Sequence, residues 1–310
     1  MISRRNIRVK VMQTLYTLDS MSEDTKPEEP QNILTKKIDQ TKLLFTYLIY
    51  FILEVARYAE KDALQKASKY LPSAADLAVN TKLAGNELLW KILEDLSFKA
   101  AVQEGKLQHI TDNELVKKTY QNLIATDDYR AYIEDFGRDK KTEKKIIELI
   151  FNQLMLPNED FIEHIEGLFI NWDDDAEMMQ TLVMNYLSKP IPEAFYDILS
   201  KEKWSFAKDL LATVINKEDE TLELIKPKLK NWDADRIASL DLIILRMGVC
   251  EFLYFETIPT KVTINEYIDL SKDYSTPQSG QFVNGMLDNI QKELSANNKI
   301  DKKSFKNSIL

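Results

Sequence analysis

Glycine, proline, cysteine and histidine are all scarce in this chain of 310 residues. Only 7 Gly and 9 Pro are present, whereas β-sheet proteins use these residues in their frequent tight turns, so the shortage favours long helices. The single cysteine, Cys250, excludes a disulfide framework and a thiolate zinc cluster. Two histidines, His109 and His164, leave little room for an imidazole metal site. We expect no metal and no other cofactor.

Long apolar runs are also missing. The richest run, from Leu43 to Leu53, is interrupted by Thr46 and is far shorter than the roughly 20 residues that a bilayer-spanning helix needs. The first residues lack the apolar segment and small-residue cleavage site of a signal peptide. We therefore expect a cytoplasmic protein with no membrane partner, in which residues 43–53 form a helix buried on most sides.

Motifs for catalysis and ligand binding begin in several places but are never complete. Residues 171–175 start like a calcium-binding EF-hand loop, yet the glycine and glutamate that such a loop needs at its sixth and twelfth positions are absent. Residues 280–285 have the glycine spacing of a phosphate-binding loop, but Met286 and Leu287 stand where Lys and Ser or Thr must follow. His164 stands among apolar residues, which is typical of packing. The sequence thus offers no catalytic candidate, and we predict that the protein is not an enzyme.

Helical periodicity dominates the sequence, and we predict an all-α fold. The first helix has two apolar stripes, which is typical of a helix packed between neighbours; they comprise Ile7, Val11, Leu15 and Leu18, and Val9, Met12 and Tyr16. Further helical patterns cover residues 33–70, 86–104, 140–156, 158–170, 174–188, 204–216, 218–230, 234–256, 263–273 and 277–294. T-x-x-E capping boxes predict helix starts at Thr111 and Thr263.

Basic residues are concentrated at the start of an otherwise acidic chain. The chain has 41 Lys and Arg against 50 Asp and Glu, a formal net charge of −9. The first 18 residues contain no acid and four basic residues: Arg4, Arg5, Arg8 and Lys10. A basic helix end can bind phosphates through charge and counterion release; a solvated, frayed terminus is the alternative. The basic tail, residues 296–310, is rich in Asn, Ser and Lys, a composition typical of disorder.

The last predicted helix has an unusual outer face. Its core stripe comprises Val283, Leu287, Ile290 and Leu294. Gln281 and Gly285 lie on the opposite side. Glycine inside a helix costs about 1 kcal/mol relative to alanine, so an outward glycine indicates a partner that approaches the backbone closely. Phe282 lies at the edge of the stripe, where it could stack on an unpaired base or cover a groove between helices.

An internal similarity appears at an offset of 60 residues. Residues 162–165 align with 222–225, and the pattern N-W-D-x-D occurs at both 171–175 and 231–235. We interpret this as duplication of a helix–loop–helix unit. Two unrelated helix junctions that both use Asp as N-cap are the alternative.

Motifs at both ends of the chain resemble those of one protein family. Residues 3–16 read S-R-R-N-I-R-V-K-V-M-Q-T-L-Y. The C-terminal third contains D-R-I at 235–237, D-x-x-x-L-R-x-x-x-x-E at 241–251, I-P-x-x-V-x-I-N-E at 258–266 and F-V-N-G-x-L-D at 282–288. The order and spacing of these motifs resemble the NusB family of bacterial antitermination factors.

The resemblance implies an all-helical, non-enzymatic protein with a NusB-like fold of two small bundles and an inserted helical region. NusB proteins bind the boxA element of nascent RNA together with the small-subunit ribosomal protein NusE, within the antitermination complex of RNA polymerase. By position, the resemblance assigns phosphate contacts to Arg4, Arg5, Arg8 and Lys10, a polar RNA contact to Gln13, and base contacts to Gln281 and Phe282. We assign Gly285 to partner binding.

The resemblance also predicts a domain organisation. Residues 1–20 form the basic first helix of the N-terminal bundle, 21–200 the helical insertion with a decayed repeat at about 140–187, and 204–295 the NusB-like core with the C-terminal bundle. Family members are usually less than half as long, so the insertion has no assigned role. Arg246 is expected to pair with an acid or a helix terminus inside the C-terminal bundle.

Two other functions stay open on the sequence alone. One is a helical protein-interaction scaffold in ribosome biogenesis, in which the acidic insertion recruits a basic ribosomal protein and RNA contact is lost. The other is the RNA-binding appendage of a cytosine methyltransferase, a hypothesis weakened because no catalytic motif follows within the 310 residues.

Overall fold

The computed structural model describes residues 2–21, 29–231 and 238–303. These residues are helical and include no β-strand, which confirms the predicted all-α class. The chain divides into two compact units, which we call unit 1 (Asp39–Ile198) and unit 2 (Ile2–Ile38 with Leu199–Leu310). The predicted insertion, 21–200, ends close to the end of unit 1, but its first part, through Ile38, belongs to unit 2.

The helices are, in chain order, α1 (Arg4–Asp19), α2 (Pro30–Ala67), α3 (Ala74–Leu77), α4 (Glu87–Glu94), α5 (Leu96–Glu104), α6 (Leu107–Ile110), α7 (Asn113–Ile124), α8 (Asp127–Glu134), α9 (Lys140–Leu149), α10 (Glu159–Leu168), α11 (Trp172–Ser188), α12 (Lys201–Asn216), α13 (Glu218–Ile225), α14 (Ser239–Tyr254), α15 (Thr260–Tyr274) and α16 (Ser279–Ala296). A π-helical stretch, Ile150–Met155, continues α9, and a 3₁₀-helix, Lys226–Asn231, follows α13. Among the described residues, no helix is both long and apolar enough to cross a membrane.

Unit 2 is built around α14. Residues 243–252 of this helix are all buried, and α1, α12, α13, α15 and α16 pack against it. The chain leaves α16 through Asn298, whose φ of 51° lies in the left-handed region, and the Lys299 amide donates to the Leu294 carbonyl over 2.9 Å. This pattern is a Schellman-type helix end.

Part of the predicted disordered tail is held against the end of α14. Lys302 donates from Nζ to the carbonyl oxygens of Glu251 and Phe255, at 2.7 and 2.8 Å. A lysine at this position satisfies carbonyls that the helix itself leaves unpaired. The prediction of disorder is therefore wrong for residues 299–303, while residues 304–310 lie outside the described part of the chain.

Both predicted capping boxes are wrong. Helix α7 is capped by Asp112, which accepts from the amides of Glu114 and Leu115. Thr263 lies inside α15, whose N-cap is Pro259, and its hydroxyl donates to Glu251 across the interior of unit 2. Asp112, one residue nearer to α7 than Thr111, takes the N-cap position. The Thr263 hydroxyl instead donates to the buried carboxylate of Glu251.

Unit 1 has an aromatic core. Residues 44–53 of α2 are all buried, as the apolar run predicts. Phe195, in the connection between α11 and α12, contacts the rings of Phe45, Phe98 and Tyr186, with centroids 5.0 to 5.4 Å apart. These contacts hold that connection against the helices of unit 1.

The proposed duplication stays a prediction, because its second copy is described only in part. Trp172, in the first copy, begins α11 and is buried. The corresponding Trp232, and the D-R-I motif at 235–237, lie outside the described residues.

Candidate nucleic-acid interface

Helix α1 is fixed along unit 2 by its apolar face. Ser3 caps the helix by accepting from the Asn6 amide over 3.2 Å. Ile7, Val11 and Leu15 are buried, and the helix packs against α12 and α14. The capped start and the buried stripe set which way the basic residues face.

Arg8 lies in the interior and not on the surface. Its side chain is 3% exposed and forms a bidentate pair with Glu251 of α14, at 2.6 Å from Nε to Oε1 and 3.1 Å from Nη2 to Oε2. A third contact joins Nη1 to Glu266 of α15 at 3.2 Å. Burial by itself would lower the pKa of Arg8, but the hydrogen bonds and charge of Glu251 raise it above its ordinary value.

The Glu251 carboxylate is fully satisfied by this cluster. Tyr267 donates to Oε1 over 2.8 Å and Thr263 donates to Oε2 over 3.0 Å. Burial and the charge of Glu251 raise the pKa of Tyr267 well above its ordinary value. The structure therefore gives Arg8 a structural role, joining α1 to α14 and α15, in place of the predicted phosphate contact.

Lys10 is also buried, at 1% exposure. It follows Val9 and precedes Val11 and Met12, all of them buried, so a helix packed on two sides leaves position 10 no path to the surface. Like Arg8, Lys10 belongs to the interior of unit 2.

Arg4 and Arg5 are the two predicted cations that reach solvent, each with a side chain 40% exposed. Arg4 pairs with Glu202 at 2.6 Å. Arg5 pairs with two carboxylates of α15, Asp269 at 3.2 Å and Asp273 at 2.9 Å. Burial tends to lower the pKa of Arg5, but its hydrogen bonds to these two acids raise it. Gln13, two turns further along α1, is partly exposed.

The start of α16 presents a polar outer face. Gln281 and Gly285 are exposed, and a Cβ built on Gly285 would meet no atom within 4 Å, as its outward position on the helix predicts. Phe282 is only 8% exposed, so its ring packs inside unit 2, the second of the two positions the sequence left open. The predicted core stripe at 283, 287, 290 and 294 is buried.

Side-chain hydrogen bonds fix this end of α16. The Ser279 hydroxyl donates to Asp241 of α14 over 2.8 Å and lies 2.9 Å from the Thr276 hydroxyl. A Cβ at Gly280 would lie 2.9 Å from Cγ of Lys272, so the side chain of α15 crosses directly over the backbone of α16. Glycine at 280 permits that close approach.

The end of α15 therefore joins the two predicted contact regions. Its Asp269 and Asp273 hold Arg5 of α1, and its Lys272, which pairs with Asp269 at 3.7 Å, covers the start of α16 at Gly280. Arg5 and the first turn of α16 thus flank the same end of one helix. We call Arg4, Arg5, Gln281 and Gly285, with the end of α15, the α1/α16 surface below. Gln13 lies outside it, because α1 passes from Asp269 and Asp273 at Arg5 to Glu266 at Arg8, toward the start of α15, and the Oε1 atom of Gln13 is buried.

Sequence reasoning missed the acids that pair with these arginines. Asp269 and Asp273 are four residues apart, the spacing that places two side chains on one helix face, and this spacing could have indicated a shared cation. Glu202, 198 positions from Arg4, gives no such local signal.

Arg246 donates to the Val214 carbonyl near the end of α12 and pairs with Glu218 at 3.2 Å, so the expected helix-terminus contact is present.

The described part of the chain contains no group of three or more His, Cys, Asp or Glu side chains that could hold a metal ion. The fold and the α1/α16 surface together define an all-helical protein whose candidate site is an exposed polar surface suited to binding another macromolecule.

Comparison with known proteins identifies the family. A model of the NusB family matches residues 164–292. The transcription antitermination protein NusB of Finegoldia magna is 41% identical over 97 residues, which are 31% of this chain and 71% of that protein. Its counterpart from Clostridium botulinum is 36% identical over 138 residues, 44% of this chain and 97% of that protein. The chain belongs to the NusB family.

A solved structure of T. maritima NusB shares 29% identity over 42% of this chain and 85% of its own length, with a TM-score of 0.30. Gln281, Phe282 and Gly285 lie inside the range matched by the family model, whereas the basic residues of α1 precede it.

Proposed function

We propose that unit 2 binds single-stranded, boxA-type RNA on the α1/α16 surface, together with the ribosomal protein NusE, and acts in the antitermination complex of RNA polymerase. The observation that carries this proposal is that Arg5 and the first turn of α16 flank the same end of α15. Family membership supports the same role, since the relatives are transcription antitermination proteins.

The contacts divide between exposed and interior residues. Arg4 and Arg5 supply phosphate contacts, which position a nucleic acid without reading its sequence. Gln281 supplies a polar contact to a base, and Gln13 supplies a polar contact to the RNA further along α1. The interior residues, Arg8, Lys10 and Phe282, keep the two helices in place beneath that surface.

The charge distribution supports unit 2 as the RNA-binding part. Unit 2 contains 23 Lys and Arg against 22 Asp and Glu, a formal charge of +1, whereas unit 1 contains 18 against 28, a charge of −10. RNA is repelled by an acidic surface and attracted by local cations.

One observation favours a second candidate, a helical interaction scaffold in ribosome biogenesis without direct RNA binding. Both exposed arginines are already paired with carboxylates, Arg4 with Glu202 and Arg5 with Asp269 and Asp273. RNA phosphates must compete with these acids for the guanidinium groups.

A gel-shift series with boxA RNA, with and without purified NusE, separates the two candidates. We expect a ternary complex with the wild-type chain and a weaker one with Gly285→Glu, because the new side chain occupies the bare face of α16. Gly167→Glu is the matched control, since Gly167 of α10 is also exposed and free of neighbours within 4 Å. NusE binding without any RNA shift would support the scaffold; equal complexes from both variants would discard Gly285 as the partner contact.

A further inference from the structure

The net negative charge of the chain lies in unit 1. The proposed RNA surface on unit 2 does not explain this charge. Its formal charge of −10 is larger in magnitude than the −9 of the whole chain, because unit 2 carries +1. Residues 146–188 contain nine Asp and Glu and no Lys or Arg. Such a unit repels nucleic acid and attracts basic protein segments at long range.

An open groove of about 490 Å³ lies on unit 1. Its walls are the end of α4 with the start of α5 on one side, and the connection that follows α11 on the other. The lining includes the apolar side chains of Leu96, Ile191 and Tyr196.

Apolar side chains at this groove are unusually exposed. Leu96 is 71% exposed, Ile191 51% and Tyr196 49%. Single exposed apolar residues are common, but a group of them around one concave surface is typical of an interaction site. The two prolines beside Ile191 restrict the backbone there, which reduces the entropy lost when a partner binds.

Hydrogen bonds across the groove keep its two walls in a fixed arrangement. Asp95 caps α5 and also accepts from the Glu193 amide over 3.1 Å. Ser97 accepts from the Phe195 amide over 3.3 Å. Glu193 has a φ of 61°, in the left-handed region that costs a non-glycine residue energy. A strained backbone conformation of this kind persists only where surrounding contacts hold it. The wall of the groove at Glu193 is therefore held in a defined conformation.

The rim of the groove carries more negative than positive charge. Three acidic residues, Glu94, Asp95 and Glu193, line the groove with one lysine, Lys91. We propose that this groove docks a basic segment of a partner protein, one in which apolar side chains alternate with Lys or Arg. The apolar side chains of the segment cover Leu96, Ile191 and Tyr196, while its cations meet the rim and the acidic surface of unit 1. This proposal does not rest on the RNA-binding function of unit 2.

Three labelled peptides of 12 residues test the proposal against the full chain by fluorescence anisotropy. One contains Lys and Leu, one Glu and Leu, and one Lys and Ser. We expect measurable affinity for the Lys–Leu peptide alone, because the groove requires both charge and apolar contact. Binding of the Lys–Ser peptide at equal affinity would show that charge alone accounts for the binding, and would overturn the proposed docking in the groove.

Matched variants localise the binding. Ile191→Lys is expected to lower the affinity for the Lys–Leu peptide about tenfold, which corresponds to about 1.4 kcal/mol. Ile170→Lys introduces the same charge at a residue 88% exposed in the same unit but outside the groove, and is expected to change affinity less than about twofold. Equal losses in both variants contradict the proposal.

Sedimentation of the free chain tests whether a second copy of the chain occupies the groove instead. We expect Ile191→Lys to leave the oligomeric state unchanged; a wild-type dimer that this variant dissociates would assign the groove to a second copy and overturn the partner proposal. Binding of boxA RNA by Ile191→Lys should match the wild type, which keeps this test separate from that of the proposed function.

Discussion

Among single residues, Arg8 and Glu251 form the polar contact that holds α1 inside unit 2. Both side chains are essentially removed from solvent, and Thr263 and Tyr267 satisfy the remaining carboxylate positions. A buried ion pair adds little net stability relative to an apolar pair, but removing one partner leaves an uncompensated buried charge. The pair therefore fixes the position of α1 more than it adds to the free energy of unfolding.

Arg8→Met should lower the free energy of unfolding by about 3–5 kcal/mol, because Glu251 then stays buried without its cation. The double variant Arg8→Met, Glu251→Leu should lose less than Arg8→Met alone. Urea denaturation followed by circular dichroism measures Arg8→Met, Glu251→Leu and the double variant. A double variant that loses the sum of the two single losses would show that the residues act independently.

Asp273→Asn tests the competition for Arg5. Removing one of the two carboxylates that hold this guanidinium should strengthen binding of boxA RNA about 1.4- to fivefold, since an exposed ion pair is worth about 0.2–1 kcal/mol. The matched control is Glu87→Gln, which removes one exposed negative charge from unit 1. Equal gains in the two variants would mean that only net charge matters.

At the scale of helices, apolar spacing predicted more than capping motifs did. The stripe at 283, 287, 290 and 294 is buried, and the run at 44–53 is buried throughout, because burial follows directly from the helical period. Thr263 failed as a cap because its hydroxyl bonds to Glu251, a residue 12 positions earlier. A partner at that distance leaves no local sequence signal.

Two glycines that both lie within helices should respond oppositely to alanine. Gly285→Ala should stabilise the chain by up to about 1 kcal/mol, since nothing lies within 4 Å of the new methyl group and alanine favours the helix. Gly248→Ala should destabilise it, because the methyl would lie 2.8 Å from Cδ2 of Leu287 and overpacking typically costs about 1–3 kcal/mol. Thermal unfolding compares the two; stabilisation by both would mean that α14 and α16 are separated at Gly248.

For the molecule as a whole, the chain divides into two compact units that differ in net charge, −10 for unit 1 and +1 for unit 2. Composition predicted an acidic helical chain, and the end motifs predicted the family. They could not reveal that Arg8 and Lys10 point inward, because that depends on which residues the fold brings together. The burial of Arg8 follows from Glu251, a residue 243 positions away in the sequence.

The salt dependence of boxA RNA affinity tests the central claim, that Arg5 and Gln281 contribute to one RNA surface. The affinity is measured between about 50 and about 200 mM salt for the wild type, Arg5→Gln, Gln281→Ala and Arg57→Gln, a matched ion-paired arginine on unit 1. We predict that Arg5→Gln weakens binding and reduces the slope of log K against log salt by about 0.7, the value for one phosphate on a single strand. Gln281→Ala should weaken binding without changing the slope, and Arg57→Gln should leave both unchanged. Wild-type affinity and slope in both Arg5→Gln and Gln281→Ala would contradict the account.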